Sequence, residues 1–257
     1  MIILSYNIDG YDDQTHQYLM NLTTNYKIDV LFLSETKCSY DTLSTYFKQY
    51  KNYNYIINVH LPTKWHGVAM LILKEIKYQQ IPITMGIPVR KDSNSKEAAI
   101  GRIIMVKIND YYIIGTYTPN SGQTPEKLHY RVNVWDPAFL KIINSYENLI
   151  WLGDQNVALE EIDVSNPHKM KYYAGFRPEE RANFKQCTLI DVWRHENPTL
   201  QEYTWKGYNP SPTYGMRLDH IMVSPSLLPL CQSFTLKQSN SDHVPIGIKL
   251  KNDIVIY

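Results

Sequence analysis

Cysteine is scarce in this chain, and none of it is paired. Cys38, Cys187 and Cys231 are scattered singly over 257 residues. That spacing excludes a thiolate zinc motif and a disulfide framework. An odd, dispersed set suits reduced thiols in an intracellular protein, with nucleus, cytoplasm and viral factory left undistinguished. Long apolar runs are also missing, and no stretch approaches the roughly 20 residues of a membrane-spanning helix. No membrane partner is therefore expected. Met1-Ile2-Ile3-Leu4 has no basic segment before it and no cleavage pattern after it, so it reads as a first strand and not as a signal peptide. Charge of one sign is lacking too. With 26 Lys and Arg against 25 Asp and Glu the net charge is +1. Nothing attracts a polyanion in bulk, and nucleic-acid binding would need a local basic strip. Repeats, low-complexity tracts and dividing linkers are absent, which predicts one domain over 1–257.

What is present is enough apolar material, 44% of residues, for a sizeable core. Short runs at 2–6, 30–33, 55–58, 68–73, 103–108, 111–116, 149–152, 217–223 and 244–249 read as strands. Helical spacing covers 12–26, 42–50, 125–146 and 179–188. Many short strands with a few helices predict an α+β fold of two packed sheets with helices outside. The polar segment 88–98 reads as an exposed hairpin or loop.

Acids, amides and histidines follow several of the buried runs: Asn7 and Asp9, Glu35, Asp154 and Asn156, Asp219 and His220, Asp242 and His243. Strands of one sheet can bring such ends to one edge, where separate loops assemble one polar site. Taken singly, each fits an ordinary strand end or Asx turn. Taken together they offer hard oxygen donors for a metal such as Mg²⁺ and the groups for phosphate-ester hydrolysis. An extended segment would put Asp154 and Asn156 on one face. A histidine beside a carboxylate would be held in one tautomer and could charge near neutrality. Spacing alone leaves both His243 and His220 as candidates.

The runs Leu4-Ser5-Tyr6-Asn7-Ile8-Asp9-Gly10, Leu33-Ser34-Glu35-Thr36-Lys37, Tyr117-Thr118-Pro119-Asn120-Ser121-Gly122, Gly153-Asp154-Gln155-Asn156-Val157-Ala158 and Ser241-Asp242-His243-Val244-Pro245-Ile246 resemble the endonuclease/exonuclease/phosphatase superfamily, in its order. Glu161-Ile162-Asp163-Val164-Ser165-Asn166-Pro167, Ala174-Gly175-Phe176-Arg177-Pro178-Glu179-Glu180-Arg181, Asp191-Val192-Trp193-Arg194 and Arg217-Leu218-Asp219 are similar to its exonuclease III class of apurinic/apyrimidinic (AP) endonucleases. The resemblance implies a four-layer α/β sandwich with its site at one edge of the sheets. It implies Glu35 as principal Mg²⁺ ligand with Asp9 and Asp242 nearby, and Mn²⁺ as a substitute. Asp154 would activate the attacking water, Asn156 would position it, and Asp219 would orient His243 toward the scissile phosphate. Asn7 and Tyr117 would hydrogen-bond the phosphate or the carboxylates; His243 as the base stays open. The implied partner is double-stranded DNA with abasic sites, cut by a monomer.

Departures from the pattern also carry expectations. Gln155 replaces an apolar residue and, facing away from Asp154, should affect chemistry little. Met216 replaces an aromatic that walls the lesion pocket in some relatives, and Trp205 with Leu218 behind it could serve instead. Gln123 stands where some relatives place an arginine that enters the DNA stack, and Ile100 replaces an acidic residue. Asn120 and Arg177 complete the expected substrate contacts. Lys37, Lys64, Arg131, Lys169, Lys171, Arg177, Arg181 and Lys206 could grip phosphates as a group. The segments 203–205 and 208–214 could add aromatic and polar contacts to a groove.

Overall fold

The computed structural model describes residues 1–60, 66–88, 97–207 and 214–251. Lys64 and most of the expected loops at 88–98 and 208–214 lie outside the described residues. In chain order the strands are β1 (Ile2–Asn7), β2 (Val30–Ser34), β3 (Tyr53–Asn58), β4 (Val68–Leu73), β5 (Gln79–Gln80), β6 (Ile103–Ile108) and β7 (Tyr111–Tyr117). They continue as β8 (Leu149–Asp154), β9 (Ile190–Asp191), β10 (Trp205–Gly207), β11 (Tyr214–Met216), β12 (Asp219–Val223), β13 (Cys231–Thr235) and β14 (Ile246–Leu250). Two six-stranded sheets result, ordered β13-β14-β1-β2-β4-β3 and β5-β6-β7-β8-β12-β9, with β10 and β11 paired as a separate two-stranded sheet. Both sheets are mixed: β1 runs parallel to β2, and β7 to β8.

The near-continuous apolar runs follow from burial on both sheet faces. Along β1, Ile3 points between the sheets, while Leu4 and Tyr6 point outward to the helices. Phe32 and Met70 meet Ile113, Ile150 and Leu152 in the central layer. Outside the first sheet, Leu31, Leu33 and Leu71 pack on Leu19, Leu22, Leu43 and Phe47 of two helices. Outside the second, Ile114, Trp151 and Met222 pack on Trp135, Phe139 and Ile143. The result is a four-layer sandwich. Contact between the sheets is close at Gly115, where an added Cβ would sit 2.2 Å from the Phe32 ring.

Local signals explain the helix ends. Asp12 caps helix Asp13–Asn25 by accepting from the Thr15 N–H at 2.8 Å, and Ser39 caps Tyr40–Phe47 through Thr42. The continuous helix expected over 125–146 is instead Pro125–Tyr130, a π turn at Arg131–Trp135, and Asp136–Ile143. Pro137 explains the break, because it lacks the N–H that would bond back to Asn133. Strand β13 escaped the sequence reading because its Gln232 and Ser233 are polar, as a strand at a sheet edge permits. The short strands β5, β9, β10 and β11 escaped it as well. Among the described residues no helix is long and apolar enough to cross a membrane.

Candidate active site

Register brings the site together. Asn7 ends β1, and Glu35 follows β2, whose Ser34 pairs with Asn7. In the other sheet Tyr117 pairs with Asp154 across a parallel ladder, and Asp154 with Asp219 across an antiparallel one. Gly153 makes the approach possible: at φ +136° an added Cβ would lie 2.0 Å from the Thr116 carbonyl oxygen.

One amide then joins the two sheets. The Asn7 Nδ2 group donates to Glu35 Oε1 and to Asp154 Oδ2, both at 2.9 Å, and lies 3.4 Å from His243 Nε2. Asp154 also accepts from the Asn156 backbone N–H at 2.8 Å and its side-chain amide at 3.2 Å. Asn156 in turn donates to the Thr118 carbonyl and accepts from Asn120. His243 Nδ1 meets Asp219 Oδ2 at 2.7 Å. Asp242 accepts from the Trp205 indole at 2.8 Å. Four of the six described non-glycine residues at positive φ are Asp9, Glu35, Lys37 and Asn156. A conformation costing roughly 1–2 kcal/mol each for an L-residue is thus concentrated where these side chains are aimed.

Burial and charge set the protonation. Burial opposes charge on His243, but the adjacent Asp219 and Asp154 carboxylates outweigh it and raise its pKa to about 10. Burial pushes Asp154 up to about 8; the Asp219 and Glu35 carboxylates add to this, and the His243 cation offsets it in part. Burial also works to raise Glu35, yet hydrogen bonds from Lys37 and Asn7 hold it below its ordinary range. Tyr117 lies against Glu35 and stays a neutral phenol, its pKa raised by burial and by the Glu35 and Asp154 charges. This is a shared proton network in which the His243 imidazolium faces the carboxyl groups of Asp219, Asp154 and Asp242.

These residues open onto a cleft of about 390 Å³. Asp9, Glu35, Tyr117, Asp154, Asn156, Asp242 and His243 form its polar side; Met170, Trp205, Met216 and Leu218 form an apolar wall. Asn120 and Gln123 also line it. Asn7 and Asp219 support it from behind. Arg177, an expected substrate contact, does not reach the cleft wall; its guanidinium turns to the Gly122 carbonyl at 3.4 Å. His220 points elsewhere, to Asp191 at 2.9 Å and the Val157 carbonyl at 2.7 Å.

Two members of the expected basic group are committed to contacts within the protein. Arg131 is 2% exposed and bonds Asp136 and the carbonyls of Pro119, Gln155 and Asn156. Arg181 donates to the Leu159 carbonyl and covers the Phe176 ring. Lys37 is placed differently again: its ammonium sits between Asp9 and Glu35, 2.8 Å from Glu35 Oε2. Residues not anticipated for the cleft include Tyr173, which stacks on Tyr214. The signal was Tyr172-Tyr173 just after Lys171, with Tyr172 65% exposed.

The donor set fits a hard cation. Glu35, Asp9 and Asp242 present carboxylate oxygens to one cleft, and a lysine ammonium held between two of them shows that the place favours positive charge. One ligand atom each of Asp154, Asp219 and His243 also lies within 4.8 Å of the others, but the bond of His243 to Asp219 and those of Asn7 and Asn156 to Asp154 already engage most of these atoms. We read them as the proton network.

Comparison with known proteins agrees with this geometry. The model of the endonuclease/exonuclease/phosphatase family matches residues 4–243. The chain is 33% identical to a DNA-(apurinic or apyrimidinic site) endonuclease of Dictyostelium discoideum, covering 96% of this chain and 70% of that protein. It is 33% identical to a DNA repair nuclease of Danio rerio, covering 97% and 82%. In fold it is similar to an AP endonuclease from Archaeoglobus fulgidus, with a TM-score of 0.82 at 22% identity over 97% of this chain and 99% of that one. Matched from its first strand to the histidine of its cleft, the chain belongs to the endonuclease/exonuclease/phosphatase family.

Proposed function

We propose that the chain is a Mg²⁺-dependent AP endonuclease of base excision repair. It would hydrolyse the DNA phosphodiester 5′ to an abasic site, leaving a 3′-hydroxyl and a 5′-deoxyribose phosphate. A 3′→5′ exonuclease or 3′-phosphodiesterase activity would use the same site; an exodeoxyribonuclease of Bacillus subtilis is 27% identical over 96% of this chain. One observation carries the reading: a phosphate-hydrolysing constellation, Glu35–Asn7–Asp154 with Asp219–His243, shares a cleft with an apolar wall of Trp205, Met216 and Leu218. The polar side suits a phosphodiester. The apolar wall suits a sugar that has lost its base and swings out of the stack at little cost.

Each residue then has a task. Asp154, whose raised pKa makes it a competent proton acceptor near neutrality, takes a proton from the attacking water. Asn156, fixed by Asp154 and Asn120, positions that water. The water oxygen bonds to phosphorus, the bond from phosphorus to the upstream 3′-oxygen breaks, and that oxygen leaves with the bonding pair and takes a proton from solvent water to become the 3′-hydroxyl. His243, held charged by Asp219, donates through Nε2 to a phosphoryl oxygen as negative charge builds there. Its charge favours Asp154 over His243 as the base. Glu35, with Asp9 and Asp242, would hold the Mg²⁺ ion, which supplies Lewis acidity when bound and which Mn²⁺ should replace. Lys169 and Lys171, beside Tyr172 and Tyr173 near the cleft mouth, would steady the strand.

The test is incision of a duplex carrying one abasic analogue, beside an undamaged duplex, a 3′-phosphate end and an inositol phosphate. Mg²⁺-dependent cutting 5′ to the lesion, with the termini named above, supports the proposal. Preference for the inositol phosphate would sink it.

A further inference from the structure

Gln155 lies between two site residues and, unlike the apolar residue of the family pattern, carries an amide. It is completely buried. Its side chain closes on a single residue of the neighbouring strand: Oε1 accepts from the His220 N–H at 2.9 Å, and Nε2 donates to the His220 carbonyl at 3.3 Å. Its backbone N–H donates to the Leu218 carbonyl at 3.0 Å, and its own carbonyl accepts from Arg131 Nη2 at 2.8 Å. Every polar group of the residue is thereby engaged. Leu218 and His220 flank Asp219, so Gln155 grips the chain on both sides of the carboxylate that holds His243.

The grip is firm at its far end. The His220 ring is held by Asp191 and by the Val157 carbonyl, so the residue cannot turn away from the clasp. Thr204 supplies a second anchor, its Oγ accepting the N–H groups of Leu218 and Asp219 at 3.0 Å each. Asp154 and Asp219 repel as carboxylates and face each other where the β8–β12 ladder ends. There, tight spacing needs bonds beyond those of the strands. An apolar side chain could brace this gap only by packing, and it would supply neither bond to His220.

We infer that Gln155 is a positioning residue: its amide clasp sets the register of Asp219, and through it the orientation of His243, against Asp154. Only the kinetic part of its test rests on the proposed function. A displacement of about 1 Å at a reacting centre costs on the order of a hundredfold in rate. Gln155→Met keeps the volume and removes both bonds. It is expected to lower kcat for abasic incision by about tenfold or more, with KM within about twofold of wild type. In the resting enzyme, the imidazole N–H proton resonance of His243 toward Asp219 should shift or broaden. Leu19→Ala, in the layer outside the other sheet, serves as a control for lost stability alone; it should lower Tm while leaving kcat and that resonance in place. Gln155→Leu, uncharged and close in volume, removes the same two bonds to His220 and should match Gln155→Met in both readouts. It takes over both readouts if the methionine variant does not fold. A Gln155 variant with wild-type kcat, or with an unmoved His243 resonance, would overturn the inference. Should wild type not cut abasic DNA, the proposed function fails, yet the resonance still decides the role of Gln155.

Discussion

Replacing Asp154 by Asn should make the protein more stable while removing its activity. Asp154 is 1% exposed, and folding raises its carboxyl from the ordinary 3.8 to about 8. A group whose folded value is raised in this way favours the proton in the native state, whereas the unfolded chain ionises freely. The resulting cost is absent below about pH 4, grows as pH rises, and levels off above about 8. At pH 7 the ceiling is roughly 3 pH units at 1.36 kcal/mol each, about 4 kcal/mol. His243 shares the same protons, and the asparagine NH2 would face an N–H donor of Asn7 or Asn156, so at most about half of that is the expected gain for the variant. Incision should fall by about 10²–10⁴-fold with loss of the proton acceptor. Urea unfolding of both proteins from about pH 4.5 to 8.5 checks the energetics: the gap should widen with pH. A variant no more stable than wild type at pH 7, or a gap that does not change with pH, would show that folding does not raise the Asp154 carboxyl.

Asp219→Asn should remove most of the charge from His243. That histidine has a folded pKa raised to about 10, so its charge contributes stability fully below about 6.5 and loses it as pH rises through 10; NMR titration should show the transition moved toward neutrality in the variant. Arg131→Met leaves the buried Asp136 carboxylate without its cation and three carbonyls without their donor. A loss of about 3–5 kcal/mol in urea unfolding is expected. Lys37→Met removes the ammonium between Asp9 and Glu35, and calorimetric titration should show Mg²⁺ binding tighter by about tenfold, since a competing cation is gone.

The buried strands were legible because burial on both sheet faces makes them apolar runs, and β4 and β6 match the sequence reading end to end. That the site's side chains gather at one cleft was legible, because they stand at strand ends in the family's order. How they touch was not. That Asn7 bridges Glu35 and Asp154 depends on how the two sheets pack, which no local pattern encodes. Arg131 reads as a surface charge on a helix until the π turn near Pro137 carries it into the core. Lys37 reads as a phosphate grip until Glu35 and Lys37, both at positive φ, turn it back onto the carboxylates. Gln155 does face away from Asp154, but toward His220, and only the fold reveals that partner.

Incision of abasic DNA should depend on both Glu35 and a divalent ion. Single-turnover cutting of a duplex with one abasic analogue, by wild type and Glu35→Gln across a Mg²⁺ titration, measures both at once. The metal role assigned to Glu35 predicts no cutting in chelator, cutting 5′ to the lesion with Mg²⁺, and a Mg²⁺ requirement at least about tenfold higher in the variant. Equal cutting with and without the ion, or a variant with an unchanged requirement, would contradict it.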